Sequence, residues 1–484
     1  MSNQQSDEQS NRRPDKPRQP AEARVQLRRA LSVWGAAAFV ITSMIGTGIF
    51  TVPADVRAAT GTPIAALGVW VMGAMLALFG ALCYAELATR MPRAGGEYQY
   101  LSQVYGRPWG FIGGWITFFA GFAAPVAAST LMVVRYFSPL APGWNPDAPL
   151  IRGIDITQGA AVAALLPLLF ALPHSIGVRP SGRVQTTLAL MTVTAIIVFT
   201  TAGVSSGSGD WGRLIQGSEA TGAWWVAMVK VGFAYTGWNA AAYLAGEVTE
   251  PRRTLPRALI SGTLAVAVLY ITLNLLYFYA MPANDWKPEL PIAQKAAEQL
   301  FGPSGGKLVS AIIMVAIVGA ISAWTASGSR VYYAMARDGL APSMFGRLGK
   351  RSRAPIIAIF TQAGIASIMA LTSAFGKLLL YIGSALMLIS ALTVAAVYVV
   401  RRSEEDDDPK NNFSVPGYPY TPAFYILMVI FMWIQTLQEE PMPAIYALGT
   451  IAVGVGVYYL GRARGWIATS SETQLETETL ENNQ

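Results

Sequence analysis

The chain has 484 residues, of which 53% are hydrophobic and only 13% charged, where a soluble domain carries roughly 25% charged residues. One cysteine and one histidine leave no material for an intrachain disulfide or a protein metal centre. The net charge of +7 is distributed over alternate loops, which is a membrane-topology pattern and excludes a nucleic-acid partner.

Residues 1–30 are polar and basic and predict a disordered tail with no cleaved signal peptide. Apolar runs of about 20 residues, the length needed to span a bilayer, then follow one another. About twelve are expected, near 32–58, 63–90, 108–138, 158–174, 183–204, 222–248, 256–281, 307–338, 354–373, 375–401, 419–437 and 442–461. Residues 403–418 form an acidic, solvated loop, and 465–484 a second polar tail. Arg28, Arg29, Arg90, Arg93, Arg179, Arg183, Arg252, Arg253, Arg347, Arg351, Arg401, Arg402, Arg462 and Arg464 all fall on one set of loops. By the positive-inside rule that set is cytoplasmic, and both termini are inside.

The first and sixth apolar runs are each broken by glycine at the middle, at Gly46-Thr47-Gly48 and at Thr236-Gly237-Trp238-Asn239. Four further runs follow each broken one. This spacing predicts two five-helix repeats of inverted topology, 31–205 and 220–402, with two added helices at 419–461. Unwound backbone is tolerated in a bilayer where it lines a cavity and binds a ligand. At the first break the amides of Thr47 and Gly48 open a new half-helix and suit a carboxylate. Carbonyls near Met44, Phe233 and Thr236 suit an ammonium group. Glycine in packing between membrane helices is the alternative for the breaks, and a packed aromatic is the alternative to a gate for Phe233. Glu86, Glu97 and Glu247 lie among arginines near helix ends and are expected in ion pairs.

The run Gly46-Thr47-Gly48-Ile49-Phe50 resembles the amino acid–polyamine–organocation transporter superfamily. So do Tyr84-Ala85-Glu86-Leu87 with Gly95-Gly96-Glu97-Tyr98, the run Phe233–Asn239 with Gly246-Glu247-Val248, and Ser327-Gly328-Ser329-Arg330. The likeness covers spans one to ten and is greatest to the L-type and related bacterial amino-acid permease branch. It implies an all-α fold, with Thr47 and Gly48 holding the substrate carboxylate. It further implies that carbonyls of Met44, Phe233 and Thr236 hold the amino group, with Phe233 a gate and Asn239 a nearby polar contact. Many proton-coupled members keep a lysine on span five where this chain has Thr192. Lys230, one turn before Phe233, is a second coupling candidate, with snorkelling to the outer surface as its alternative. Ser327 and Ser329 are sodium-ligand candidates, with helix packing as theirs. Mammalian members of the branch link to a glycoprotein subunit through a loop cysteine. Cys83 lies inside span two, so no disulfide-linked ancillary subunit is expected, and the protein is a monomer or homodimer.

These features predict a transporter of the cell membrane that moves amino acids by alternating access, as symporter or exchanger, with no cofactor. No carboxylate is visible at mid-depth in the spans, which favours a neutral substrate. A basic amino-acid or polyamine antiporter is the second reading, and a non-transporting amino-acid sensor is the reading of another class. No catalytic triad, metal set or phosphate loop is present to support an enzyme. Cysteines introduced at Ser6 and Thr477 in a Cys83→Ser background should react with an impermeant maleimide only from the cytoplasmic side. Labelling of either from outside would refute the assigned topology.

Overall fold

The computed structural model describes residues 29–151, 156–176, 178–287, 291–372, 375–403 and 412–467. Most of both predicted tails, and residues 404–411 of the acidic loop, lie outside the described residues. Within them the chain is helical, with only isolated β-bridges such as Leu31 to Val248.

Helix α1 (Val33–Met44) starts at Ser32, whose hydroxyl accepts from the Gly35 amide at 3.4 Å. It stops at the first glycine break, and α2 (Gly48–Thr60) continues at a bend of 44°. Helix α3 (Pro63–Arg90) opens on a Thr62 cap followed by proline, whose missing N–H costs nothing in a first turn. A short helix, α4 (Glu97–Tyr105), precedes α5 (Arg107–Ile116) and α6 (Ala124–Phe137). Between α5 and α6 the expected uninterrupted helix widens into a π-helix, Thr117–Ala123. Such widening leaves i→i−4 bonds unmade and is common at functional sites. Helices α7 (Gln158–Ile176) and α8 (Val178–Ser205) complete the first half.

The second half begins with α9 (Trp224–Ala234), a non-helical stretch, and α10 (Ala240–Tyr243). There follow α11 (Pro251–Ala280), α12 (Ile292–Arg337), α13 (Ile356–Thr372) and α14 (Phe375–Ser403). Helices α15 (Tyr420–Glu439) and α16 (Pro441–Ala463) close the chain. Helix α12 starts earlier than the apolar run at 307–338 suggests. Its first turns are kinked from the rest at Gly302, where φ is 76° and Pro303 follows. Among the described residues nine helical runs are long and apolar enough to cross a membrane, ten with the α1–α2 pair. Helices α9 and α13, at expected spans six and nine, are apolar but shorter.

Long apolar side chains remain on the outside, Leu165 at 67%, Leu308 at 63% and Leu427 at 68% exposure. Such a surface is stable only against lipid. The protein is an integral membrane protein. The two most extensive helix pairings are α3 with α11 and α7 with α13, and α1 also packs closely on α11. A buried polar chain crosses from α7 to α1. His174 Nε2 lies 3.0 Å from the Ser322 hydroxyl, which donates to Gln185 Oε1, and Gln185 donates to Thr42.

Two of the three carboxylates expected in ion pairs are in them. Glu86 accepts from Arg90 at 3.1 Å, from Arg401 at 2.7 and 2.6 Å, and from the Val415 amide at 2.7 Å. Glu247 accepts from Arg330 Nε at 2.9 Å, with side-chain exposures of 1% and 3%. Removing one member of such a pair strands a buried charge. Arg330→Met should therefore destabilise the protein by about 3–5 kcal/mol. Thermal unfolding in detergent measures this; a midpoint equal to that of the wild type would show that the pair is solvated in solution.

Candidate functional site

The two breaks grip each other. A Cβ on Gly48 would lie 2.5 Å from the Ala234 Cα, at the end of α9. A Cβ on Gly237 would lie 2.6 Å from Ser43 Cβ, near the end of α1, and Gly237 has φ of +100°. Each break thus needs glycine so that the other's backbone can approach. Tyr270 of α11 joins them further. Its hydroxyl is 3.0 Å from the Ala234 carbonyl and also bonds to the Met44 carbonyl. One phenol therefore serves carbonyls that unwinding has deprived of helical partners.

This arrangement answers several expectations about site residues. The Met44 carbonyl is already engaged, by Tyr270 and by the Gly46 amide at 2.8 Å. The Phe233 carbonyl accepts from the Thr236 amide at 2.9 Å and the Thr236 hydroxyl at 2.6 Å. Phe233 itself is 2% exposed. Of the residues expected to hold substrate, the structure brings Thr236 and Asn239 to a partly open cavity. Met44, Gly46, Thr47, Gly48 and Phe233 are not on its wall. The Trp324 indole lies against Gly46, 3.2 Å from where a Cβ would sit, and also lines the cavity. It stands where the first break meets the open space. The Thr47 hydroxyl is buried without a partner among the described residues.

The coupling candidates are dispersed. Lys230 is ion-paired: its Nζ is 3.1 Å from Asp55 Oδ1 of α2, with exposures of 20% and 14%. Thr192 faces a separate, apolar cavity with Phe50 and Leu273, and its hydroxyl has no partner among the described residues. Ser329 donates to the Ala326 carbonyl at 2.9 Å and accepts from Arg330 at 3.0 Å. The Ser327 hydroxyl, by contrast, is buried and unpartnered among the described residues. The two serines are therefore not equivalent as cation ligands. Among the described residues no group of three His, Cys, Asp or Glu side chains converges as a metal site.

The cavity wall holds residues that sequence reasoning passed over, Trp324, Tyr243 and Phe122, and one that it placed elsewhere, Glu97. Glu97 corrects the ion-pair expectation. Its carboxylate accepts from the Tyr84 hydroxyl at 2.5 Å, the Thr117 hydroxyl at 2.6 Å and the Asn239 amide at 3.2 Å. All are neutral donors. Gly96, with φ of +55°, makes the approach feasible, since a Cβ there would lie 2.5 Å from the Tyr243 ring. The glycine pair before Glu97 was a visible signal for such a close approach. The π-helix, which aims Thr117 at Glu97, had none.

Comparison with known proteins gives consistent matches over nearly the whole chain. The family model described as amino acid permease matches residues 31–460. The serine/threonine exchanger SteT of Bacillus subtilis is 31% identical over 442 residues, covering 90% of this chain and 97% of that one. The large neutral amino acids transporter small subunit 2 of Rattus norvegicus is 27% identical over 446 residues, covering 90% and 81%. The cystine/glutamate transporter of Homo sapiens is 26% identical over 450 residues, covering 91% and 87%.

The unequal surroundings of the first-break glycines predict unequal costs. Gly48→Ala drives a methyl into backbone and should abolish transport or prevent folding. Gly46→Ala presses only on the Trp324 ring edge and should leave a folded protein with reduced transport. Thermal midpoints and uptake of the two purified variants, measured side by side, decide the point; equal damage would contradict the reciprocal grip.

Proposed function

This chain belongs to the amino acid permease family of the amino acid–polyamine–organocation superfamily and transports amino acids; from that premise we propose that it exchanges neutral amino acids across the cytoplasmic membrane by alternating access. The observation that carries the reading is the pair of interlocked helix breaks beside an internal cavity. Serine/threonine and large neutral amino-acid specificities among the relatives support a neutral substrate. Exchange is supported by the exchanger at 31% identity.

We further read the helices as twelve passes with both ends cytoplasmic, built from the repeats 31–205 and 220–402 plus two helices at 419–461. The pairings of α3 with α11 and α7 with α13 join corresponding members of those repeats, which supports the symmetry. In this reading Thr47 and Gly48 amides take the substrate carboxylate once Trp324 moves aside. Thr236 and Asn239 contact the rest of the substrate from the cavity wall, and Phe233 closes over it. The Met44 and Phe233 carbonyls receive the ammonium in exchange for Tyr270 and Thr236. Lys230, tied to Asp55, stabilises the outer half of the breaks rather than carrying a proton. Cys83 is buried, which supports a protein without a disulfide-linked subunit, working as monomer or homodimer.

Purified protein in liposomes loaded with unlabelled L-threonine should accumulate external labelled L-threonine, and empty liposomes should not. L-Valine and L-alanine inside should support the same uptake, while L-lysine and putrescine inside should fail. Equal uptake into empty liposomes would overturn obligatory exchange. Stimulation by lysine or putrescine alone would favour the cationic reading.

A further inference from the structure

Glu97 lines the cavity yet is only 1% exposed. It comes from α4, the helix between the second and third spans, as that helix's first residue. Its hydrogen-bond donors are neutral: Tyr84 on α3, Thr117 in the π-helix and Asn239 at the second break; the Tyr243 hydroxyl on α10 bonds to the same Asn239 amide and is a titratable neighbour of Glu97. The remaining titratable groups that act on it are Tyr100 and Tyr425. The other two buried carboxylates at this end of the molecule have arginines; Glu97 has three hydrogen bonds from neutral donors and a helix N-terminus instead.

The bonds have a direction. Ionised carboxylate only accepts, so it draws the Asn239 Nδ2 toward itself. The same Nδ2 is 3.2 Å from the Tyr243 hydroxyl. Asn239 therefore turns its Oδ1 away from both. Asn239 lines the cavity, so the edge offered to a substrate there is an acceptor. A protonated Glu97 reverses the arrangement. Its O–H donates, the amide can turn its Oδ1 to receive it, and Nδ2 is then offered to the cavity.

Resting on the exchanger reading above, we propose that Glu97 is a positioning residue that sets, through Asn239, the hydrogen-bonding polarity of the substrate cavity. With Glu97 ionised, the site accepts side chains that are apolar or can donate a hydrogen bond. It disfavours side chains whose only polar atom is an acceptor, because two acceptors would face each other out of reach of water. Burial moves the Glu97 carboxyl above the ordinary carboxylate range, and the hydrogen bonds bring it part of the way back. The discrimination is thus present at higher pH and is lost as pH falls through that raised value.

The test uses full-length protein in liposomes and labelled L-threonine exchange. The competitors are L-norvaline and O-methyl-L-serine, which share a shape and differ by one ether oxygen that can only accept. In the wild type the preference for norvaline over O-methylserine should shrink roughly threefold to tenfold from neutral to acid buffer. In Glu97→Gln, whose amide can donate or accept, the preference should sit at the low-pH level in every buffer. A wild-type preference that does not change with pH overturns the proposal, and this measurement needs no variant to fold. A Glu97→Gln protein that keeps both the preference and its pH dependence overturns it as well. Failure of the exchanger reading would appear separately, as absence of threonine exchange by the wild type in any buffer.

Discussion

Everything in this molecule hangs on two stretches of backbone that are unwound and pressed together. Gly48 abuts Ala234 and Gly237 abuts Ser43, so each break is shaped to the other. In a bilayer, backbone without helical partners is costly, because lipid offers no hydrogen bonds. Tyr270 meets part of that cost by reaching one carbonyl on each break. Other amides at the breaks bond within their own turns, Gly46 to the Met44 carbonyl and Thr236 to that of Phe233. A membrane protein could not keep either break alone; it keeps both because they complete one another.

The cavity follows from this contact. Where α1 and α9 end against each other, the helices α3, α12, α14 and α15 have to pass around the irregular backbone. The space left is lined by Trp324, Tyr243, Tyr425 and the widened turn at Gly121 and Phe122. Its floor is polar because the loop helix α4 delivers a carboxylate through a glycine turn too tight for any side chain at Gly96. The site is therefore assembled from pieces distant in sequence, and the breaks decide where they meet.

The same assembly decides how much of the site is legible in the chain. The breaks stand out because glycine weakens a helix of spanning length and is kept there where backbone must come close or unwind. The helical fold is legible from hydropathy alone. Thr236 and Asn239 reach the cavity because they belong to a break. Glu97 misleads because its neighbours in sequence include Arg93, whereas its neighbours in space are tyrosines from three helices. The absence of carboxylates from the spans points to a neutral substrate, and a loop residue, Glu97, nevertheless brings one to the cavity wall. Trp324 sits in an ordinary apolar stretch of α12, so nothing local marks it. The π-helix has no sequence signature at all; what marks it is its contacts in space, Thr117 on Glu97 and Phe118 on Tyr332, with ring centroids 3.9 Å apart.

Helix α2, the second half of the first broken helix, is fastened to more than its partner. Asp55 holds Lys230 of α9, Arg57 holds the Gln216 carbonyl and the Ser218 hydroxyl, and the amides of Ser218, Thr221 and Gly222 bond to Gly61, Ala58 and Ala59. Helix α2, the connecting loop and α9 are thereby strapped into one block. Any rearrangement that opens the cavity has its soft points at 45–47 and 235–239, not within that block. The loop at 216–222 becomes a handle on the machine: it lies off the cavity wall, so a spectroscopic label there would report the movement of the whole block without entering the cavity.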